Sequence, residues 1–362
     1  MLLQVLQDFS VRLFSSGRRV FRAIGRWIRA RPRLARWFYP PWSPESDYRE
    51  HNGLLFADFH EQERMLADQP RMAFYQAAIS RHIRPGSRVI DLGTGTGILA
   101  ALAARQGAAQ VYAIDHSEIL THAKTLAKAN RVGNVTFVAT HSSAFTTDEP
   151  VDVILHEQMG DCLFDESMVA NLIDMRDRLL KPGGLIRPGV FVLFCEPVQL
   201  KDNRVLPFIW EMEVQGYDYS CLADQRPNHP RYYRISSCDL DLIDHFLCSP
   251  RPILKLDLHT VDEAEIPYDV GFDRTITDPG RLDGFVVYFR TRVDDDLSLT
   301  TDPRDPDRAT NWGFRILRTP QETLASGDRL SLQLAVGQWE EPDTWRWHHE
   351  INADCPMPSG SA

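Results

Sequence analysis

Between residues 64 and 188 apolar positions recur alternately at helical and at strand spacing. Arg64–Ile83 carries the helix period. Arg88-Val89-Ile90-Asp91-Leu92 is short and almost continuously apolar, as a strand covered on both faces requires. A small-residue-rich helix over Ile98–Gln106, a strand over Val111–Ile114 and a helix over Ile119–Ala129 follow, then strands over Val135–Val138 and Val151–Leu155. This alternation predicts a parallel sheet covered by helices. Lys181-Pro182-Gly183-Gly184 reads as a turn closing the next helix. After Pro188 the pattern changes. Val190–Cys195, Phe285–Val293, Trp312–Leu317 and Leu330–Val336 are β-rich and lack long helices between them, which predicts an antiparallel second domain. A Pro- and aromatic-rich stretch over 205–250 fits neither pattern.

Ahead of the alternating region, Val20, Phe21, Ile24, Trp27 and Ile28 fall on one side of a helix and Arg18, Arg22, Arg26 and Arg29 on the other. Gly17 and Gly25 weaken that helix, and Pro32 ends or kinks it. Three readings stand side by side: a helix for a membrane surface or an acidic partner, an arginine-rich targeting segment, and a poorly ordered tail. Phe38–Pro44 reads as a stiff linker. The expected organisation is a basic arm over 1–42, a Rossmann-like α/β domain over 43–188, a β-barrel-like domain over 189–354 and a frayed tail over 355–362.

Composition narrows the function. With 43% hydrophobic and 25% charged residues in 362, the chain is neither disordered nor fibrous. No apolar run is long enough to read as a spanning helix. The first 42 residues hold nine arginines, no lysine and one acid, a charge of +8, so the rest of the chain carries −18 of the overall −10. An acidic body argues against nucleic-acid binding by the core and suits a cationic substrate. The six cysteines form no C-x-x-C pair and the histidines show no zinc-like spacing, so no metal is expected. Scattered thiols indicate a reducing, cytoplasmic compartment, with a membrane periphery or an organelle as alternatives set by the basic arm.

The sharpest local signal is Asp91-Leu92-Gly93-Thr94-Gly95-Thr96-Gly97, with a strand before and a helix after it. Gly93, Gly95 and Gly97 let a ligand approach the backbone, and the following helix start offers free N–H groups. Asp115, eighteen residues beyond Gly97, ends the next strand, where an acid can accept from ribose hydroxyls. A tight turn without a ligand is the plain alternative. The G-x-G-x-G spacing resembles Rossmann-like methyltransferases that use S-adenosyl-L-methionine more than dinucleotide dehydrogenases. The second signal follows the strand ending at Leu155, where Glu157 and Glu166 stand nine residues apart around a Met159-Gly160 turn. Two carboxylates facing one cavity suit a guanidinium, which presents its donors in a planar fork.

Glu157-x-Met159-Gly160-x-Cys162-Leu163-Phe164-x-Glu166-Ser167-Met168 resembles the double-E hairpin of protein arginine N-methyltransferases. Glu63-Arg64-Met65-Leu66-Ala67-Asp68-Gln69-Pro70-Arg71 is similar to the cofactor-covering helix of that family, Gly216–Leu222 to its dimerisation arm, and Thr310-Asn311-Trp312 to its T-H-W motif. The resemblance runs from Asp47 to Ile351. It implies a two-domain fold with a helical arm, and a homodimer, for which the aromatic stretch with Trp210, Tyr217, Tyr219, Tyr232 and Tyr233 is the candidate surface. It also implies S-adenosyl-L-methionine as cofactor, leaving as S-adenosyl-L-homocysteine, and arginine in a protein or peptide as substrate. By the same match Arg71 pairs with the methionine carboxylate and Met65 lines the transfer site, with Asp91, Gly93, Gly95, Gly97 and Asp115 completing cofactor binding. Glu157 and Glu166 become the catalytic pair, and Met168, Asn311 and Trp312 belong to the substrate pocket.

Several positions depart from the family. Gln158 replaces a tryptophan, Asp161 a tyrosine, Gln62 a histidine, and Asn311 the T-H-W histidine that pairs with the aspartate matching Asp68. Of the family's N-terminal aromatic motif only Phe56 is in register, and no acid is evident over Ser142–Phe145, where one usually meets adenine. The expected chemistry is in-line attack of a guanidino nitrogen on the sulfonium methyl. The altered pocket leaves two alternatives: a methyltransferase for a small molecule or dedicated peptide, and a catalytically weak scaffold.

Overall fold

The computed structural model describes residues 57–164, 166–205, 207–227 and 230–352. The basic arm, Phe56 and the tail over 355–362 lie outside the described residues.

The first layer is a sheet of β1 (Arg88–Leu92), β2 (Gln110–Asp115), β3 (Val135–Ala139), β4 (Val151–His156) and β5 (Leu180–Arg187). The order is β3-β2-β1-β4-β5, with every pair parallel. The central strands β1 and β4 are almost wholly buried, which explains their unbroken apolar runs. The chain moves outward from β1 to β3 and then crosses to β4 on the other side. The switch point therefore lies between the carboxyl ends of β1 and β4, where open α/β sheets bind their ligands.

Among the described residues five helices accompany the sheet: α1 (Phe59–Ala67), α2 (Gln69–His82), α3 (Ile98–Arg105), α4 (Leu120–Ala129) and α5 (Met168–Leu179). The single helix expected over 64–83 is two helices broken at Asp68. Asp68 is extended, at φ −69° and ψ 94°, and its carboxylate accepts from the N–H of Arg71 to cap α2. Pro70 fits the first turn of α2 because no intrahelical N–H is needed there. The expected Lys181–Gly184 turn is instead a bulge within β5. Pairing with β4 jumps from Val151↔Leu180 to Val153↔Leu185, and Gly183 supplies a left-handed φ of 75°.

The second domain begins with β6 (Val190–Leu200) and is antiparallel throughout. It continues with β7 (Glu213–Val214), β8 (Tyr217–Asp218), β9 (Arg234–Ser237), β10 (Ile243–Phe246), β11 (Pro252–Asp257) and β12 (Asp269–Thr275). The last strands are β13 (Gly280–Asp294), β14 (Leu297–Thr300), β15 (Phe314–Leu324), β16 (Arg329–Ala335) and β17 (Arg346–Asn352). The main sheet runs β10-β6-β13-β15-β9, with β11 also on β6 and β14 also on β13. β12-β16-β17 form a smaller sheet and β7-β8 a ribbon. Within 205–250 the described helical pieces are 3-10 turns at Ile209–Glu211, Ser220–Gln225, Pro230–Tyr233 and Leu240–Leu242, so the expected helical arm has no α-helix there.

One continuous core joins the two layers. It includes Ile90 and Ile154 of the parallel sheet, Phe164 of the hairpin, and Phe285, Phe289, Trp312 and Trp339 of the second domain. A smaller core on the other face of the main antiparallel sheet stacks Phe194 on Tyr288 at 4.7 Å. A shared core fixes the second domain against the switch point, because close-packed interiors deform little.

Candidate active site

The loop after β1 turns on three left-handed residues, Gly93, Gly95 and Gly97, at φ 70°, 52° and 84°. At Gly95 a Cβ would lie 2.9 Å from Oε1 of Gln62, so a side chain there would have to displace the Gln62 amide as well as adopt the left-handed φ. Gln158 packs over Gly93 in the same manner, its Cγ 3.5 Å from where a Cβ would stand. Gln62 from α1 and Gln158 from the end of β4 thus bracket the loop. Asp91 lies beneath it, fully buried, with Oδ2 accepting from the Thr94 hydroxyl and from Ala100 N–H at 2.9 Å. Burial pushes this carboxyl up to about 6, against the pull of those two hydrogen bonds. Asp91 therefore braces the loop and the start of α3 from below.

Asp115 faces the loop from the end of β2. Its Oδ2 accepts from Gly95 N–H at 3.0 Å, and its Oδ1 accepts from the N–H and hydroxyl of Ser117 at 2.8 and 2.7 Å. Three of roughly four acceptor positions are taken, and the one left open is on Oδ2. Beyond it, the rings of His116 and His141 stand 6.0 Å apart at the ends of β2 and β3.

Arg71 sits in the first turn of α2, on the other side of the switch point. Its guanidinium is buried; Nη1 donates to the carbonyl of Met65 at 2.6 Å, and Nη2 pairs with Oε2 of Glu157 at 3.0 Å. Burial opposes the charge of Arg71, but Glu157 outweighs it and holds the pKa above its ordinary value. Burial raises the Glu157 carboxyl, and Arg71 restrains that rise. The Nε of Arg71 is buried without a partner. Tyr75, one turn further along α2, donates its hydroxyl to the carbonyl of His156 at 2.8 Å. Burial, then Glu157, hold that phenol well above its usual range, and Asp91 and Glu166 add to the rise.

The hairpin closes at Gly160, whose carbonyl accepts from Leu163 N–H at 2.8 Å. Leu163 and Ser167 adopt left-handed φ of 75° and 53°, uncommon for residues with a side chain. Burial holds that backbone in place: Met159, Cys162, Leu163, Phe164 and Met168 all enter the core, and Phe164 stacks on Trp339 at 4.6 Å. Glu157 and Glu166, at the two ends, remain partly exposed. The apolar residues anchor the hairpin while its two acids keep access to solvent. His156, just before Glu157, is fully buried, and burial lowers it to about 4, so the ring is neutral. Its Nε2 must carry the hydrogen, because its partner at 2.7 Å is the Pro188 carbonyl, which only accepts.

The second domain meets this site through the loop before β15. Asp68 Oδ2 accepts from the N–H groups of Thr310 and Asn311, each at 2.8 Å. The link between Asp68 and the T-H-W-like segment thus exists at backbone level. The side-chain oxygen of Asn311 is buried without a hydrogen-bond partner, as is that of Gln158. Trp312 lies in this loop instead of opening a strand. It is buried against Phe289 at 5.8 Å, and its Nε1 donates to the Met159 carbonyl.

The structure brings Arg71, Glu157, Asp91, Asp115 and the three glycines to the switch point, with Met65 buried where α1 meets Arg71. Met168 and Trp312 lie inside the core as supports for the hairpin. Sequence reasoning missed Tyr75 and His156. Tyr75 lies four residues after Arg71 on the same helix face and His156 adjoins Glu157, so their spacing carried a usable signal.

A parallel 3-2-1-4-5 sheet with a glycine turn at its switch point, faced by an acid at the end of the next strand, defines the Rossmann-like methyltransferase class. A family model described as ribosomal protein L11 methyltransferase (PrmA) matches residues 74–192. Protein arginine N-methyltransferase PRMT10 of Oryza sativa subsp. japonica is 30% identical over 318 residues, covering 79% of this chain and 83% of that protein. The chain belongs to the protein arginine N-methyltransferase family. Arabidopsis thaliana protein arginine methyltransferase 10, in a crystal structure with a uniquely open conformation, superposes with a TM-score of 0.69 at 25% identity, over 84% of this chain and 97% of that one. The Trypanosoma brucei PRMT1 enzyme-prozyme heterotetrameric complex with AdoHcy shares the fold, with a TM-score of 0.66 at 24% identity over 77% of this chain and 88% of that one.

Proposed function

We propose that this chain transfers a methyl group from S-adenosyl-L-methionine to a guanidino nitrogen of arginine in a protein or peptide. One observation carries the reading: Glu157 already holds a guanidinium, that of Arg71, at 3.0 Å beside the glycine loop. The residues fit the cofactor. Gly93, Gly95 and Gly97 leave the backbone open, Asp115 keeps an acceptor for ribose, and the unpartnered Nε of Arg71 suits a carboxylate. When bound, the cofactor supplies a methyl group on positively charged sulfur. The protein's part is to orient the acceptor. Glu157 and Glu166 hold the guanidinium by charge-assisted hydrogen bonds and draw its positive charge away from the attacking nitrogen. Positioning of this kind accounts for much of the acceleration.

The test is transfer of radiolabelled methyl into a whole-cell lysate followed by amino-acid analysis. Labelled methylarginine supports the reading; label confined to other products overturns it. A second reading, a small molecule or dedicated peptide as acceptor, is favoured by Gln158 and Asn311. Their buried, unpartnered oxygens are neutral acceptors where the family pattern has tryptophan and histidine.

A homodimer completes the proposal. Ile209, Met212, Tyr217 and Leu222 expose apolar surface on the arm, and Phe59, Leu66 and Leu126 do so on α1 and α4. Arm and helices of two copies could cover each other. We assign the arginine-rich segment 1–42 to an acidic partner or an anionic membrane surface, with the protein cytoplasmic or held at a membrane or organelle. Flotation with anionic liposomes, with and without residues 1–42, separates these: no difference rules out the membrane.

A further inference from the structure

Residues 310–313 reach the first domain through four N–H groups in succession. Those of Thr310 and Asn311 go to Asp68, the indole of Trp312 goes to the Met159 carbonyl, and that of Gly313 goes to Oδ1 of Asp161 at 2.9 Å. The acceptors fall on the two carriers of the site. Asp68 caps α2, which bears Arg71; Met159 and Asp161 belong to the hairpin that bears Glu157 and Glu166. Asp161 is the hairpin side chain that accepts from this loop. Its other oxygen faces Arg315 of β15 at 3.6 Å, and a Cβ on Gly313 would lie only 3.3 Å from that oxygen. Glycine at 313 thus permits the approach.

We propose that Asp161 is a positioning residue for arginine recognition, tethering the hairpin turn to the start of β15 so that Glu157 and Glu166 keep their spacing. The inference rests on the function proposed above and deepens it. Asp161 stands where the family pattern has a tyrosine, so the tether belongs to this chain's own sequence. Its need is physical. The turn closes where Leu163 N–H meets the Gly160 carbonyl, an isolated bridge between those two residues, and it places Leu163 at φ 75°, a conformation that persists only when its surroundings impose it. Asp161 occupies the first corner of that turn and supplies an outside anchor. The half-exposed pairing with Arg315 adds little by itself, so the Gly313 N–H bond is the main tether.

The test compares Asp161→Ala with Asp161→Asn in the full chain. Asparagine keeps an acceptor for Gly313 N–H and loses only the charge facing Arg315. The alanine variant is expected to raise the KM for an arginine peptide by about tenfold or more, with the KM for methyl donor within about twofold of wild type. The asparagine variant should restore the peptide KM to within about threefold. Hydrogen exchange across residues 157–164 gives a readout that needs no activity: faster in the alanine variant, near wild type in the asparagine variant. If wild type methylates no arginine, the functional reading fails and exchange alone decides Asp161. Unchanged exchange with alanine, or loss of donor binding in both variants, overturns the proposal.

Discussion

The buried guanidinium of Arg71 and the partly exposed carboxylate of Glu157 form an ion pair, 3.0 Å between Nη2 and Oε2, that ties helix α2 to the carboxyl end of β4. Each group is implied to serve a different ligand, Arg71 the cofactor carboxylate and Glu157 the substrate guanidinium. Here they satisfy each other. Removing one partner leaves a buried charge uncompensated, which costs about 3–5 kcal/mol. Arg71→Ala should therefore lower the melting temperature and abolish S-adenosyl-L-homocysteine binding in calorimetry. Arg71→Lys keeps the charge but not the planar fork, and should bind measurably but more weakly.

Asp91 and His156 give opposite pH dependences in nearly the same window. Asp91 is raised from 3.8 to about 6, so its contribution to stability is present below 3.8 and lost as pH rises through about 6. His156 is lowered from 6.5 to about 4, so its contribution is present above 6.5 and lost as pH falls through about 4. In wild type the two nearly cancel. Asp91→Asn removes the first, so its stability should drop behind wild type by an amount growing to the order of 3 kcal/mol on acidification from about 6 to 4. His156→Gln should show the reverse trend. Urea unfolding across this range checks both, and curves parallel to wild type would contradict the assignment.

Asp68 should matter far more than Asn311. Asp68→Ala removes the cap of α2, worth about 1 kcal/mol. It also strands the N–H groups of Thr310 and Asn311, at about 1–3 kcal/mol each where buried. Asn311→Ala keeps both backbone bonds, because the Asn311 side-chain oxygen has no partner to lose. Chemical denaturation of the two variants should separate them by about 2 kcal/mol or more. Equal losses would show that the side chain at 311 carries the link.

Dimerisation is best tested by point changes. Deleting all of 205–250 would also remove β9 and β10 from the main antiparallel sheet. Ile209→Glu with Tyr217→Glu places charge on exposed apolar positions of the arm without touching those strands. Sedimentation should fall from dimer to monomer mass. An unchanged mass would place the interface elsewhere or show that wild type is already monomeric.

The parts legible in the sequence were those with strong local demands. The glycine loop needs left-handed residues at fixed positions, and the hairpin needs acids at its ends and apolar residues between them. Central strands announced themselves by burial on both faces. The break at Asp68 was written in Asp68 and Pro70, yet the helix period of the surrounding residues masked it. The β5 bulge was hidden because Pro182-Gly183-Gly184 ends a helix as readily as it bulges a strand. The cross-links of the site were not legible at all. The partners of Asp68 lie 242 and 243 residues downstream, and nothing local to Asp161 points to Gly313. Arg71 and Glu157 were each singled out by the sequence, but their pairing follows from the switch-point geometry alone.

The central claim is that Glu157 and Glu166 hold an arginine for methylation beside a separately bound cofactor. Mass spectrometry of an arginine peptide incubated with S-adenosyl-L-methionine tests it most directly, using wild type, Glu157→Gln and Glu166→Gln. Wild type should add methyl groups to arginine, and each variant should lose about a hundredfold or more in rate. S-adenosyl-L-homocysteine affinity, measured by calorimetry, should stay within a few-fold in both variants. Methylated arginine formed at wild-type rate by either variant, or cofactor binding lost in both, would contradict the account.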